Sequence, residues 1–175
     1  MLAAMKKHLL LFTLITLSGC LGMPQTIQPV QPFELNKYLG KWYEIARLDH
    51  SFERGLTQVT AQYSMRADGG VKVLNRGYAS DKNEWKEAEG KAYFVNGENQ
   101  GYLKVSFFGP FYGSYVVFEL EKENYDYAFV SGPNNDYLWL LSRKPEVSSA
   151  IKAKFEQLAT EHGFAVDQLI YVQQQ

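Results

Sequence analysis

The chain contains one cysteine, Cys20, and three histidines, His8, His50 and His162, and these few residues bound the chemistry open to it. A lone thiol forms neither an internal disulfide nor a thiolate cluster, and histidines so far apart match no zinc spacing, so no metal and no cofactor is expected. Nucleophilic catalysis has little more to work with. There is no Gly-x-Ser-x-Gly, and His50 lies between Asp49 and Ser51 only as a chain neighbour, which is not the geometry of a triad. No catalytic residue is expected. Cys20 itself stands in a different setting: Lys6, Lys7 and His8 precede an apolar run from Leu9 to Leu17, followed by Ser18-Gly19-Cys20. A positive start, an apolar stretch too short to span a bilayer and small residues at its end make a secretory signal. Met5 serves as a start as well as Met1, since it places the two lysines close to the terminus.

The segment resembles the bacterial lipobox, whose cysteine is acylated through sulfur and becomes the first residue after cleavage. That resemblance implies removal of residues 1–19, lipidation at Cys20 and, because Leu21 and not Asp follows, sorting to the outer membrane on its periplasmic side. Stable anchoring needs more than one acyl chain, at about 0.8 kcal/mol per buried CH₂, and a triacylated cysteine meets that need. Residues 20–33, with Pro24, Pro29 and Pro32 and several glutamines, have no apolar period and are expected to form a flexible, extended tether.

The elements that would position any site lie beyond it. Of 175 residues, 46% are hydrophobic and 15% aromatic, enough for one folded core, expected over residues 34–175. With 18 basic against 19 acidic residues there is no basic footprint for nucleic acid. Short runs rich in Val, Tyr, Phe and Thr recur between turn residues, near Lys41 to Asp49, Gln58 to Met65, Val71 to Ala79, Trp85 to Val95, Tyr102 to Phe107, Ser114 to Glu121, Tyr127 to Ser131 and Tyr137 to Arg143. The class is all-β: eight antiparallel up-and-down strands, which can close into a barrel wide enough for one small ligand. After Pro145 the period changes. Val147, Ile151, Phe155, Leu158, Ala159 and His162 share one face of a C-terminal helix, which is expected to pack outside the barrel against Val116, Phe118 and Leu120. Leu169 to Val172 can add a short last strand.

Gly40-Lys41-Trp42-Tyr43 on the first strand, Tyr125-Asp126-Tyr127 at the sixth-to-seventh turn and Trp139-Leu140-Leu141-Ser142-Arg143 on the eighth are similar, in order, to the three signature regions of the lipocalins. Trp42 to Arg47, Phe52-Glu53-Arg54-Gly55 and Glu89-Gly90-Lys91-Ala92 bring the resemblance closer to the bacterial branch and to apolipoprotein D. It implies that Gly40, Trp42, Asp126 and Arg143 are structural, with Arg143 laid across the Trp42 indole at the closed end. Two departures stand out. Tyr125 occupies a position usually held by Thr, which displaces a turn hydroxyl, and the disulfides of many animal lipocalins are absent, so packing alone must hold the barrel.

Alternation along each strand, counted from Trp42 and Arg143, then assigns the lumen. The expected ligand-binding set is Glu44, Tyr63, Val73, Asn75, Phe94, Leu103, Val105, Phe107, Tyr115, Val117, Val130 and Trp139, with Ala46, Ala61, Ala92, Ala128 and Leu141 also inward. Such a lining suits a lipid, and the resemblance implies a fatty acid or lysophospholipid ligand for storage, transport or salvage in the envelope. The alternative is a structural envelope lipoprotein whose barrel is filled and holds no ligand. Aromatics in the rim loop Phe108 to Gly113 read as a lid, as a headgroup contact or as a loop folded back onto the barrel. Because one sulfur is the only attachment point, Cys20→Ala is expected to abolish palmitate labelling and leave the protein detached or uncleaved. Labelled, membrane-bound Cys20→Ala protein in a fractionation would refute the anchor.

Overall fold

The computed structural model describes residues 21–174; Cys20 and the signal segment lie outside them. Eight strands, β1 (Gly40–Arg47), β2 (Leu56–Met65), β3 (Val71–Ala79), β4 (Glu84–Phe94), β5 (Tyr102–Phe108), β6 (Phe111–Leu120), β7 (Tyr127–Ser131) and β8 (Leu138–Ser142), pair antiparallel in sequence order, and β8 returns to β1. The β1–β2 pairing closes the barrel, and a two-residue β9 (Ile170–Tyr171) adds to the outer side of β1. Tight turns set this order: between β2 and β3, Gly69 takes φ +80° while Arg66 N–H donates to the Gly70 carbonyl at 2.9 Å.

Two apolar clusters share the wall. Inside, Trp42, Ala61, Val73, Val117, Ala128 and Val130 fill the lower barrel. Outside, Ile45, Val116, Phe129 and Leu140 meet α2 (Ser149–Glu161), whose Phe155 and Ala159 are fully buried and whose N-cap Ser148 accepts from Ile151 N–H. Three expectations change. A bulge between Glu44 and Ala46 puts Ala46 into the outer cluster and turns Arg47 inward, because one extra residue reverses the alternation. A second, between Val117 and Glu119, moves Leu120 from the helix side to the inner core. Nor do residues 21–33 form a free tether. Ile27 and Phe33 are buried, Val30 N–H donates to the Val117 carbonyl at 2.8 Å, and Gly101 N–H donates to that of Val30 at 3.0 Å. Ile27 packs in the outer cluster, while Val30 and Phe33 pack with the inner one.

At the closed end, a single helical turn, α1 (Leu35–Tyr38), carries the chain under the barrel into Gly40, whose φ of +97° favours glycine. A Cβ there would also stand 3.4 Å from Arg143 Nη1. Trp42 is completely buried, donates its indole N–H to the Tyr38 carbonyl at 2.8 Å, and is covered by the Arg143 guanidinium 3.9 Å from the ring centroid. Arg143 in turn donates from its side chain to the Lys41 and Lys37 carbonyls at 2.9 and 2.5 Å, and its backbone N–H donates to the carbonyl of Asp126. The displaced turn hydroxyl has a replacement. Glu121 accepts the N–H groups of Glu123, Asn124 and Asp126, while the buried Tyr125 hydroxyl accepts from Glu34 N–H at 3.0 Å. Trp42→Ala is expected to cost about 3–5 kcal/mol in denaturant melts, as a large core truncation that also strips Arg143 of its ring; a loss below about 1 kcal/mol would mean that Trp42 does not plug the barrel.

Candidate functional site

Above the Trp42 plug the barrel is hollow, with a cavity of about 1170 Å³ that opens between the loops at residues 48–55, 108–111 and 132–137. Of the residues expected to face a ligand, Glu44, Tyr63, Val73, Asn75, Leu103, Val105, Phe107, Tyr115 and Trp139 line it. Phe94, Val117 and Val130 do not. They pack in the filled lower core, Phe94 against Phe33 at 6.0 Å, so they bound the floor without reaching the space. That floor carries hydroxyls that satisfy one another: Tyr115 bonds Tyr38 at 2.6 Å and Tyr63 at 2.9 Å, and burial raises the pKa of all three. The rim loop is not folded back. Phe108 is 80% exposed and Phe111 67%, and both edge the opening together with Phe52.

Near the mouth lies a buried polar chain that strand alternation does not reveal. Arg47 donates from Nη1 to Glu44 at 2.7 Å and from Nη2 to the Glu53 and Leu56 carbonyls at 2.9 and 3.3 Å. Trp139 Nε1–H donates to the Glu53 carboxylate at 3.1 Å, and the Glu44 and Glu53 carboxyls lie close enough for each to feel the other's charge. Arg47, Glu44 and Glu53 are 1, 4 and 6% exposed. Burial pushes the Glu44 carboxyl well above the usual range, and the Glu53 charge raises it further; burial also raises Glu53. Both residues belong to the bacterial-branch segments of the sequence, Glu44 to the one from Trp42 to Arg47 and Glu53 to the one from Phe52 to Gly55. Alternation nevertheless gives Arg47 and Glu53 no place in the lumen, because neither the β1 bulge nor the inward fold of the 48–55 loop has a periodic signature.

His50 sits beside this chain and does not act on Ser51. Its ring stacks on Tyr137 at 4.6 Å and Phe52 at 5.2 Å, tilts against Trp139 at 5.0 Å, and leaves Nε2 buried without a partner. Desolvation, then the nearby Arg47 charge, hold its pKa down at about 4. Among the described residues no cluster of His, Cys, Asp and Glu is arranged to hold a metal ion, and no helix is long and apolar enough to cross a membrane.

The family model for a lipocalin-like domain matches residues 33–174, almost the whole of this barrel and its helix. The chain belongs to the lipocalin family. It is 68% identical over 171 residues to the outer membrane lipoprotein Blc of Vibrio cholerae, covering 98% of this chain and 100% of the relative. It is 52% identical over 151 residues to the protein of the same name from Escherichia coli, covering 86 and 85%. Among solved structures, insecticyanin of the tobacco hornworm Manduca sexta shares the fold with a TM-score of 0.68 at 19% identity, over 88% of this chain and 87% of that one. This lipocalin is located at the outer membrane, and none of these relatives carries the name of an enzyme.

The low His50 pKa makes a pH prediction. A histidine whose folded pKa lies below its free value of about 6.5 leaves the unfolded chain to take up the proton first. Its stabilising contribution is complete above about pH 6.5 and falls as pH drops toward 4. Glu44 and Glu53 are shifted the other way, so their contribution grows on acidification. Comparison with His50→Phe, which keeps both carboxyls, isolates the histidine: between pH 7 and 4 the wild type is expected to lose on the order of 2 kcal/mol more than the variant in urea melts. Equal losses would show that His50 is not held neutral by its aromatic cage.

Proposed function

We propose that this lipocalin binds the acyl chain of a fatty acid or lysophospholipid in its barrel, for storage, transport or salvage of lipids in the envelope, with an acylated Cys20 as its attachment to the membrane. The observation that carries this reading is the cavity itself. It is larger than the usual small-molecule pocket of roughly 300–1,000 Å³, is walled by Val73, Leu103, Val105, Phe107 and Leu141, and has its charged groups near the open end. Such a gradient fits an amphiphile with its chain down and its head at the mouth. A purely structural lipoprotein with a filled barrel has no need of that space, and an unfilled cavity costs stability.

Each methylene removed from water contributes about 0.8 kcal/mol, close to a fourfold gain in affinity. Titration of the chain from residue 21 onward, which includes every described contact, with fatty acids of increasing length is therefore expected to show affinity rising with length until the cavity is full. Trp139 lines the space while Trp42 is sealed below it and Trp85 lies outside, so Trp139 fluorescence reports the binding. Val105→Trp fills part of the wall and is expected to shorten the longest chain that gains affinity. No saturable binding, or affinity independent of length, would refute the reading.

A further inference from the structure

We propose that Glu44 and Glu53, with Asn75 on the wall formed by β3, make a subsite for a hydrogen-bond-donating, cationic headgroup, so that this barrel prefers an ammonium amphiphile to a carboxylate of the same chain length. The proposal rests on the acyl-chain reading above and adds the chemistry of the head. Hydrogen-bond supply and demand within the cavity carry it. The buried donors that reach the two carboxyls are already engaged: Arg47 Nη1 on Glu44, Arg47 Nη2 on backbone carbonyls, and the Trp139 indole on Glu53. Two carboxyls face one guanidinium, and both line the cavity while less than a tenth exposed. Asn75 lines the same space and has a buried Oδ1 with no partner. Of the charged groups that line the space, the two that are buried are thus both carboxyls.

A carboxylate or phosphate brought to this point would add negative charge beside two buried carboxyls that already face a single guanidinium. It would also bring no donor for Asn75. An ammonium brings up to three donors and one positive charge. Together with Arg47 it would balance two carboxylates with two cations. The other charged groups near the opening are placed differently. Arg76, Lys86 and Glu87 also line the cavity but are exposed on β3 and β4, where Arg76 pairs with Glu87 at 3.5 Å and stacks over Trp85 at 4.1 Å. An anion there would be held in water, where such pairs contribute little.

The test compares dodecylammonium, dodecanol and dodecanoate, each below its micelle concentration, on the chain from residue 21 onward. A charge-assisted hydrogen bond in a buried setting corresponds to about tenfold or more in affinity. Dodecylammonium is therefore expected to bind at least about tenfold more tightly than dodecanoate, with dodecanol between them. Glu53→Gln keeps an acceptor for Trp139 but removes a charge, and is expected to bring ammonium and carboxylate to within about threefold. Asn75→Asp adds a charge to the cavity lining on β3 and is expected to widen the preference, which keeps the proposal testable if Glu53→Gln does not fold. Equal binding of the three, tighter binding of dodecanoate, or an unchanged preference in Asn75→Asp would overturn the proposal and leave the acyl-chain reading intact. If none of the three binds, it is the acyl-chain reading that fails, and this one with it.

Discussion

Above Tyr43 the ladder between β1 and β2 stops, with Tyr43 opposite Thr60 as its last pair, and the backbone carbonyls beyond that point must find donors elsewhere. A buried carbonyl left unpaired costs about 1–3 kcal/mol, and there are several at this seam. Gln174 at the end of the described chain donates from Nε2 to the Glu44 and Val59 carbonyls at 2.6 and 3.0 Å. Val172 and Gln173 stitch to Ile45 and Gln58. Arg47 supplies the rest through its bonds to the Glu53 and Leu56 carbonyls. Using a guanidinium for this purpose has a consequence. A positive charge buried to 1% exposure must be compensated, so Glu44 and Glu53 are drawn to it, and the polarity of the cavity mouth derives from the closure of the barrel wall.

The same barrel has to hold a large void open without a disulfide. Its stability therefore depends on the packing around the void. Below it, Trp42 seals the end under Arg143, and the aromatic rings of Phe33, Tyr38 and Tyr63 pack around that plug. Outside it, Phe155 of α2 meets Phe129 edge-on at 5.0 Å, and the segment before α1 binds along β6. The Trp42–Arg143 and Phe155–Phe129 contacts lie outside the cavity lining. The protein can thus keep an empty lumen because its packing energy lies in the floor and the outer layer.

Much of this is legible in the sequence, and the exceptions have physical reasons. Period-two alternation locates all eight strands, and a change of period after Pro145 locates the helix whose Phe155 and Ala159 are buried. Alternation also places Tyr63, Val73, Asn75, Val105 and Tyr115 on the cavity wall. It fails at the two bulges, where one inserted residue exchanges the faces of the residues after it, as Ala46, Arg47 and Leu120 show. It is also silent on depth, since parity distinguishes inside from outside but not filled floor from open space, which is why Phe94, Val117 and Val130 lie below the cavity. The docking of residues 21–33 escapes the same reasoning because that segment, with Ile27 in the outer cluster and Val30 and Phe33 with the inner one, has no apolar period.

A lipid-binding barrel has to survive in two states, and its buried polar groups must be satisfied in both. When the cavity is empty, Arg47 donates to Glu44 and Trp139 donates to Glu53, while Arg47 Nε stays without a partner. Among the described residues that line the cavity, Asn75 Oδ1 on β3 is the buried side-chain atom left without a partner. Such an arrangement limits the polar penalty of emptiness in the lining to one amide oxygen while keeping two carboxyls ready to accept. The acyl part of a ligand gains from area alone and is indifferent to which chain it is. Discrimination between lipids then has to come from the few polar atoms at the mouth, because their satisfaction depends on the group the ligand carries at its end.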